Sequence, residues 1–315
     1  MNPIGARPNR RAVLATGVGA ALAAAVAAAA PAHAAPSPAS AGSAPRGRAA
    51  RVEGRLRALE AAHDARLGAF AYDTGTGRTV AYRADERFPM ASLFKAVAVA
   101  AVLRDLDRDG EVLARRIRYT AQYVKDSGYS PVTELPENVR NGMTVAELCD
   151  ATITRSDNTA GNLLLRELGG PTSVTRFCRS IGDDITRLDR WEPELNSAEP
   201  WRITDTTTPR AIGRTYGRLL LGDVLEARDR ERLTRWMLAN QTSGERFRKG
   251  LPADWLLADK TGGGAYGSNN DAGVAWPPGR PPVVLAVQTT HRTPDAEADN
   301  ELVAEAARLL AEAMG

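Results

Sequence analysis

The feature that most constrains this fold is where its strands fall. "LGAFAYDTGTGRTVAYR", from Leu67 to Arg83, carries two alternating apolar runs around a glycine-containing turn, the pattern of a β-hairpin. Three further strand patterns come only near the end of the chain: "WLLADKT" (255–261), "DAGVAWPP" (271–278) and "PPVVLAVQTT" (281–290). The turns between them are short, which makes neighbouring strands antiparallel. From Ser92 to about Arg235 the periodicity is helical, with loops at 125–142, 182–208 and 220–227. "RAARVEGRLRALEAAH" sets Val52, Leu56 and Leu59 at helical spacing ahead of the hairpin, and the amphipathic "ADNELVAEAARLLAEAMG" closes the chain. These elements predict an α/β (α+β) fold: a five-stranded antiparallel sheet built from both ends of the chain, flanked by terminal helices, with a helical domain inserted. The expected division is 47–88 with 236–315 for the discontinuous α/β domain and 89–235 for the insertion. The pocket is expected between them.

The first 34 residues read differently. A basic head with Arg10 and Arg11, an Ala/Val run from Ala12 to Ala30 and the small residues Ala32-His33-Ala34 form an export signal, with the paired arginines suggesting the twin-arginine route. Residues 35–46, "APSPASAGSAPR", read as a linker. Removing the signal removes three arginines and no acid, which leaves basic and acidic residues equal in number. The basic pI therefore argues for neither nucleic acid nor a membrane surface as partner. Cys149 and Cys178 are the only cysteines, and both fall in helical patterns where a buried free thiol is the expected state. Beyond the signal there are two histidines, His63 and His291, both expected at the surface and neither in a metal-like cluster. A hydrolase built on this chain has a base other than histidine, and no metal or cofactor is expected.

"PMASLFK" (89–95) places Ser92 and Lys95 three apart at the head of an apolar run, so on a helix they share a face. The pair reads either as a nucleophile with its base or as a helix start with a solvated lysine. A serine hydroxyl attacks only when something takes its proton, and a buried lysine can do so. Of 41 basic residues only Lys95, Lys125, Lys249 and Lys260 are lysines, so lysine at 95 and again in "DKTGGG" stands out. "TRSDNTAGN" offers Ser156, Asp157 and Asn158, which equally suit a helix cap. "DKTGGG" offers Lys260, Thr261 and the following glycines at a strand end, or an ordinary turn. "RWEPELN" offers Glu192 and Asn196, or a solvated acid.

S-x-x-K, S-D-N and K-T-G in this order mark class A β-lactamases and penicillin-binding proteins. Through these, and through "YSPVTE", "GMTVAELC", "SDNTAGNLLL", "LGGP", "RLDRWEPELN" and "DTTTP", the chain resembles a class A serine β-lactamase over nearly all its length beyond the signal. The resemblance implies that Ser92 attacks the lactam carbonyl and that Lys95, or Glu192 through a water held with Asn196, accepts its proton. It implies that Ser156 protonates the departing nitrogen and Asn158 fixes Lys95 and the substrate amide. Lys260 and Thr261 would bind the substrate carboxylate, the backbone N–H groups of Ser92 and Gly263 the oxyanion. Tyr129 would line the entrance, and an Arg190–Asp205 ion pair would close the loop carrying Glu192.

Departures bear on substrates. No arginine follows K-T-G on the next strand, where the chain reads "GSNNDAG"; Arg246 matches the position some family members use instead. Ala91 and Gly264 stand where serine carbapenemases of the class carry cysteines, and Gly263 has no hydroxyl. The expectation is a secreted, monomeric enzyme that turns over penicillins well, cephalosporins less well and carbapenems little, and so confers antibiotic resistance. A D,D-peptidase and a β-lactam sensor that keeps its acyl group are the alternatives, and Glu192 argues against both because hydrolysing the ester needs an activated water.

Overall fold

Alternation along the strands decides which side of the sheet each residue serves. The computed structural model describes residues 43–315; residues 1–34, read as an export signal, and residues 35–42 of the expected linker lie outside the described residues. The main sheet contains β1 (Arg66–Asp73), β2 (Thr79–Tyr82), β3 (Leu256–Gly264), β4 (Ser268–Trp276) and β5 (Val283–Thr290). They lie in the order β2-β1-β5-β4-β3, every pair antiparallel. In register, Phe70 of β1 faces Ala286 of β5, and Lys260 of β3 faces Ala272 of β4. The Asp73 carboxylate accepts from the N–H groups of Gly75 and Thr76, and Gly77 turns at φ +72°, which fixes the hairpin between β1 and β2.

Eight helices of at least eight residues occur among the described residues: α1 (Ser43–Ala62), α2 (Phe94–Ala101), α3 (Val145–Thr154), α4 (Asn158–Glu167), α5 (Thr172–Ser180), α6 (Pro209–Leu221), α7 (Ala227–Leu238) and α8 (Asn300–Met314). On one face of the sheet, Leu67, Ala69 and Ala71 of β1 and Leu285 and Val287 of β5 form a core with Leu56 of α1 and Leu302 and Leu310 of α8. On the other face, Phe70, Val284, Ala286, Ala272 and Val274 join the core of the helices. The two sets interleave residue by residue, as a period of two requires. At the centre of the second core lies α2, "FKAVAVAA", with all eight residues buried. A helix apolar on every side belongs in an interior, and this one carries Lys95 there with it.

The structure corrects three expectations. Ser43 to Arg46, read as linker, form the start of α1, where the missing N–H of a proline is tolerated in the first turn. His63 and His291 are half-buried rather than surface residues. His63 Nδ1 pairs with Asp299 Oδ2 at 2.6 Å, and the His291 backbone N–H donates to Tyr266 O at 2.7 Å. Two short ladders, Phe88–Pro89 with Thr206–Thr207 and Arg116–Ile117 with Met143–Thr144, lie where only helices and loops were expected. Cys149 and Cys178 are buried free thiols, as expected, and burial pushes both pKa values up. No helix among the described residues is long and apolar enough to cross a membrane.

One contact exposes the packing to a test. At Gly250, which ends the short helix Phe247–Gly250, a Cβ would sit 2.1 Å from the backbone oxygen of Ala304 on α8. Backbone cannot yield as a side-chain tip can. Gly250→Ala is expected to lose about 1–3 kcal/mol of stability, read as a lower urea midpoint at an unchanged slope; an unchanged midpoint would contradict this packing.

Candidate active site

Ser92 sits in the 3₁₀ turn Ala91–Leu93 that opens into α2. Ala91 before it has φ 45°, a left-handed conformation that costs a non-glycine residue about 1–3 kcal/mol and persists only where neighbours impose it. Those neighbours are identifiable. Asn270 Nδ2 of β4 donates to Pro89 O at 3.0 Å and Met90 O at 3.3 Å, and the Tyr216 hydroxyl of α6 donates to Leu93 O at 2.6 Å. The backbone of Gly262 on β3 lies so near that a Cβ there would stand 2.9 Å from Met90 O and 3.2 Å from Ser92 N.

Lys95 lies one turn further on, its side chain 0% exposed. Its Nζ donates to Ser156 O at 2.6 Å and Asn158 Oδ1 at 2.7 Å, and pairs with Glu192 Oε1 at 3.1 Å. Ser92 Oγ donates to the same Glu192 Oε1 at 3.4 Å. The serine and the lysine, one turn apart on one face, thus meet through a carboxylate a hundred residues away in sequence. Burial pushes the Lys95 pKa below its ordinary 10.5, while the Glu192 charge and hydrogen bond act against the fall.

Glu192 is held by its backbone as well as its side chain. Asn162 of α4 accepts from Glu192 N at 3.0 Å and donates to Glu192 O at 2.9 Å. The expected ion pair is present, with Arg190 Nε 2.6 Å from Asp205 Oδ2, while Asp205 Oδ1 also accepts from the N–H groups of Asp189 and Arg190. Asn196 Nδ2 donates to Glu192 Oε2, and Asn196 O accepts from Ala265 N at 2.9 Å, tying the loop to the β3–β4 turn. Asn196 Oδ1 is buried and has no hydrogen-bond partner among the described residues. A buried acceptor of this kind calls for a hydrogen-bond donor.

On the opposite side stands Ser156, in a left-handed conformation at φ 57°. Lys260 Nζ donates to its Oγ at 2.9 Å, and Lys95 Nζ lies 3.4 Å from the same atom. Lys260 also donates to Thr261 O at 2.8 Å. Burial first, then repulsion from Lys95 and Arg246, holds the Lys260 pKa well below its ordinary value. The cap reading of Asp157 is correct: its carboxylate accepts from Ala160 N at 2.8 Å, and also from the N–H groups of Val132 and Thr133. Asn158 N donates to Tyr129 O at 2.9 Å, which brings Tyr129 beside the site with its side chain turned largely to solvent. Arg246 donates to Gly262 O at 3.1 Å and Asn270 O at 3.0 Å, behind the edge strand that carries Lys260, Thr261 and Gly263.

The candidate catalytic and substrate-binding residues therefore lie in one region or tie it together. The arrangement puts a hydroxyl beside a buried carboxylate and two buried amines, a set that can move a proton off one oxygen and onto another atom. Sequence reading passed over Asn162, Asn270 and Tyr216. For Asn162 a signal existed, because it follows Asn158 by four and so shares its helix face; the others are brought in by tertiary contacts.

Comparison with known proteins gives the family. The model of a family described as the β-lactamase enzyme family matches residues 51–314. A β-lactamase of Streptomyces fradiae is 83% identical over 309 residues, 98% of each chain, and one of Streptomyces lavendulae is 68% identical over 315 residues, the whole of both. The solved β-lactamase from Streptomyces albus G superposes with a TM-score of 0.83 at 66% identity, covering 84% of this chain and all of that one. A W229D mutant of the last common ancestor of Gram-negative bacteria class A β-lactamase gives 0.79 at 53% identity, covering 83% and 98%. The chain belongs to the β-lactamase enzyme family, among its class A serine members.

Proposed function

We propose that this protein hydrolyses β-lactams through an ester on Ser92, fastest with penicillins, more slowly with cephalosporins and least with carbapenems. The observation that carries the reading is the shared contact of Glu192 Oε1 with Ser92 Oγ and Lys95 Nζ. In acylation, Ser92 Oγ bonds to the lactam carbonyl carbon as its proton passes to Lys95, or to Glu192 through a water. The backbone N–H groups of Ser92 and Gly263 take the oxyanion, a placement in which one donor is typically worth about 2.7–4 kcal/mol. The C–N bond then breaks, and Ser156 delivers a proton to the nitrogen and regains through Lys95, whose Nζ lies 3.4 Å from its Oγ and 3.1 Å from Glu192 Oε1, the proton that left Ser92, so that Lys95 and Glu192 return to their starting states. Lys260, Thr261 and Arg246 attract the substrate carboxylate, Asn158 holds the amide side chain and Tyr129 borders the entrance. In deacylation, Glu192 takes a proton from a water, the hydroxide adds to the ester carbonyl, and Ser92 leaves with a proton returned to it. The unpartnered Asn196 Oδ1 supports the place of that water. The reading includes export by residues 1–34, action as a monomer and no cofactor.

Substrate order rests on Gly263, Gly264 and Ala91, which add neither a hydroxyl nor a sulfur to the cleft. The test is kcat/KM for benzylpenicillin, a cephalosporin and a carbapenem on one preparation. The expected order is as given, with at least about tenfold, or 1.4 kcal/mol, between penicillin and carbapenem. A carbapenem rate equal to that of benzylpenicillin would contradict it.

A further inference from the structure

Among the described residues the hydroxyl of Thr261 has one hydrogen-bond partner, Thr242 Oγ1, at 2.5 Å. Either oxygen could be the donor by distance alone, but the next residue in the chain of bonds decides. Asn240 is buried, and one of its side-chain atoms faces the backbone N–H of Thr242 at 3.1 Å. A backbone N–H only donates, so that atom is the amide oxygen, which agrees with Nδ2 facing Asp259 Oδ2 at 3.1 Å. The Thr242 hydroxyl lies 2.7 Å from the same amide oxygen, and an oxygen acceptor there requires Thr242 to donate. A hydroxyl has one proton. With it committed to Asn240, Thr242 can only accept from Thr261.

The Thr261 proton therefore points at Thr242. A carboxylate arriving at Thr261 needs that proton, and it first meets lone pairs instead. From this polarity we propose that Thr242 is a positioning residue for carboxylate recognition, holding the Thr261 hydroxyl in the orientation that must be reversed when substrate binds. If Thr261 turns its proton toward the carboxylate, two oxygens 2.5 Å apart are left without a proton between them. Thr242 then turns as well, leaving Asn240 and donating to Thr261, so the hydroxyls reverse together. Asn240 Oδ1 keeps the Thr242 N–H throughout. The inference rests on the reading that Thr261 binds the substrate carboxylate, and it adds a residue that never touches the substrate.

The test compares a penicillin with its methyl ester, which lacks the carboxylate. Thr242→Ala removes the competing acceptor, so kcat/KM for the acid is expected to rise about threefold to tenfold, the range of one net hydrogen bond, with the ester unchanged. Thr242→Ser keeps a hydroxyl and is expected to restore the wild-type acid-to-ester ratio. Thr261→Val serves as the separate control and is expected to reduce the preference for acid over ester. If it leaves that preference intact, the carboxylate reading itself fails. If Thr261→Val reduces the preference while Thr242→Ala moves acid and ester equally, moves neither, or slows the acid alone, the proposal for Thr242 is overturned. A Thr242→Ser ratio that follows Thr242→Ala would overturn it too, because the effect would then lie in packing.

Discussion

Glu192→Ala is expected to form an ester on Ser92 and then stall, with deacylation slowed by about 10²–10⁴-fold, the usual worth of a positioned general base. The carboxylate is the only acid in contact with both Ser92 and Asn196 among the described residues, so no neighbour replaces it. Acylation has a different fate under the two possible bases. Removing Glu192 removes the two largest influences that hold the Lys95 pKa up, and the burial that lowers it remains. If Lys95 is the base, a larger share of it is neutral at a given pH, so acylation persists and its pH limb moves to lower pH. If Glu192 is the base through a water, acylation falls together with deacylation. Stopped-flow mixing with benzylpenicillin across pH separates the two. Stability follows the same sign. A lysine whose pKa is lowered on folding leaves the unfolded chain binding more protons, so the variant's stability rises with pH through the window between that lowered pKa and about 10.5. Below the window it is lost, because a buried ammonium stands without its carboxylate. Unchanged steady-state turnover in Glu192→Ala would remove Glu192 from the mechanism.

Ser92→Ala is expected to lose turnover by about 10⁶-fold, the scale found when a serine nucleophile is deleted, and to form no covalent adduct. Stability should change by less than about 1 kcal/mol, since the Ser92 hydroxyl makes a single 3.4 Å hydrogen bond among the described residues and the surrounding turn is held through backbone atoms. Loss of activity with an unaltered thermal midpoint therefore separates chemistry from misfolding. Residual turnover within a hundredfold of the wild type would mean that another group attacks the lactam.

These effects trace to residues that were largely visible in the sequence, although their arrangement was not. Ser92, Lys95, Ser156 and Lys260 announce themselves through local spacing, and the five strands through alternation with turn residues between. What spacing could not give is the meeting of Ser92 with Lys95 through Glu192, which comes from a loop pinned by Asn162 and by the Arg190–Asp205 pair. Such contacts join distant segments and leave no period to detect. The start of α1 was missed because a Pro- and Ser-containing segment has weak helical preference, while packing of Val52 and Leu56 onto the sheet rewards the helix as a whole. Nothing near His63 in sequence signals its burial, because its partner, Asp299, lies at the far end of the chain. Asn240 and Thr242 belong to none of the motifs, and only the direction of their hydrogen bonds gives them a role.

The central claim is that Ser92 carries the acyl group and Glu192 removes it. The most direct test mixes the protein with excess benzylpenicillin and follows lactam loss alongside intact protein mass. Many lactams lost per protein are expected, with the mass returning to that of the free chain once substrate is exhausted. One lactam lost per protein, with a lasting added mass on Ser92, would contradict it and make the chain a penicillin-binding protein that cannot release its acyl group.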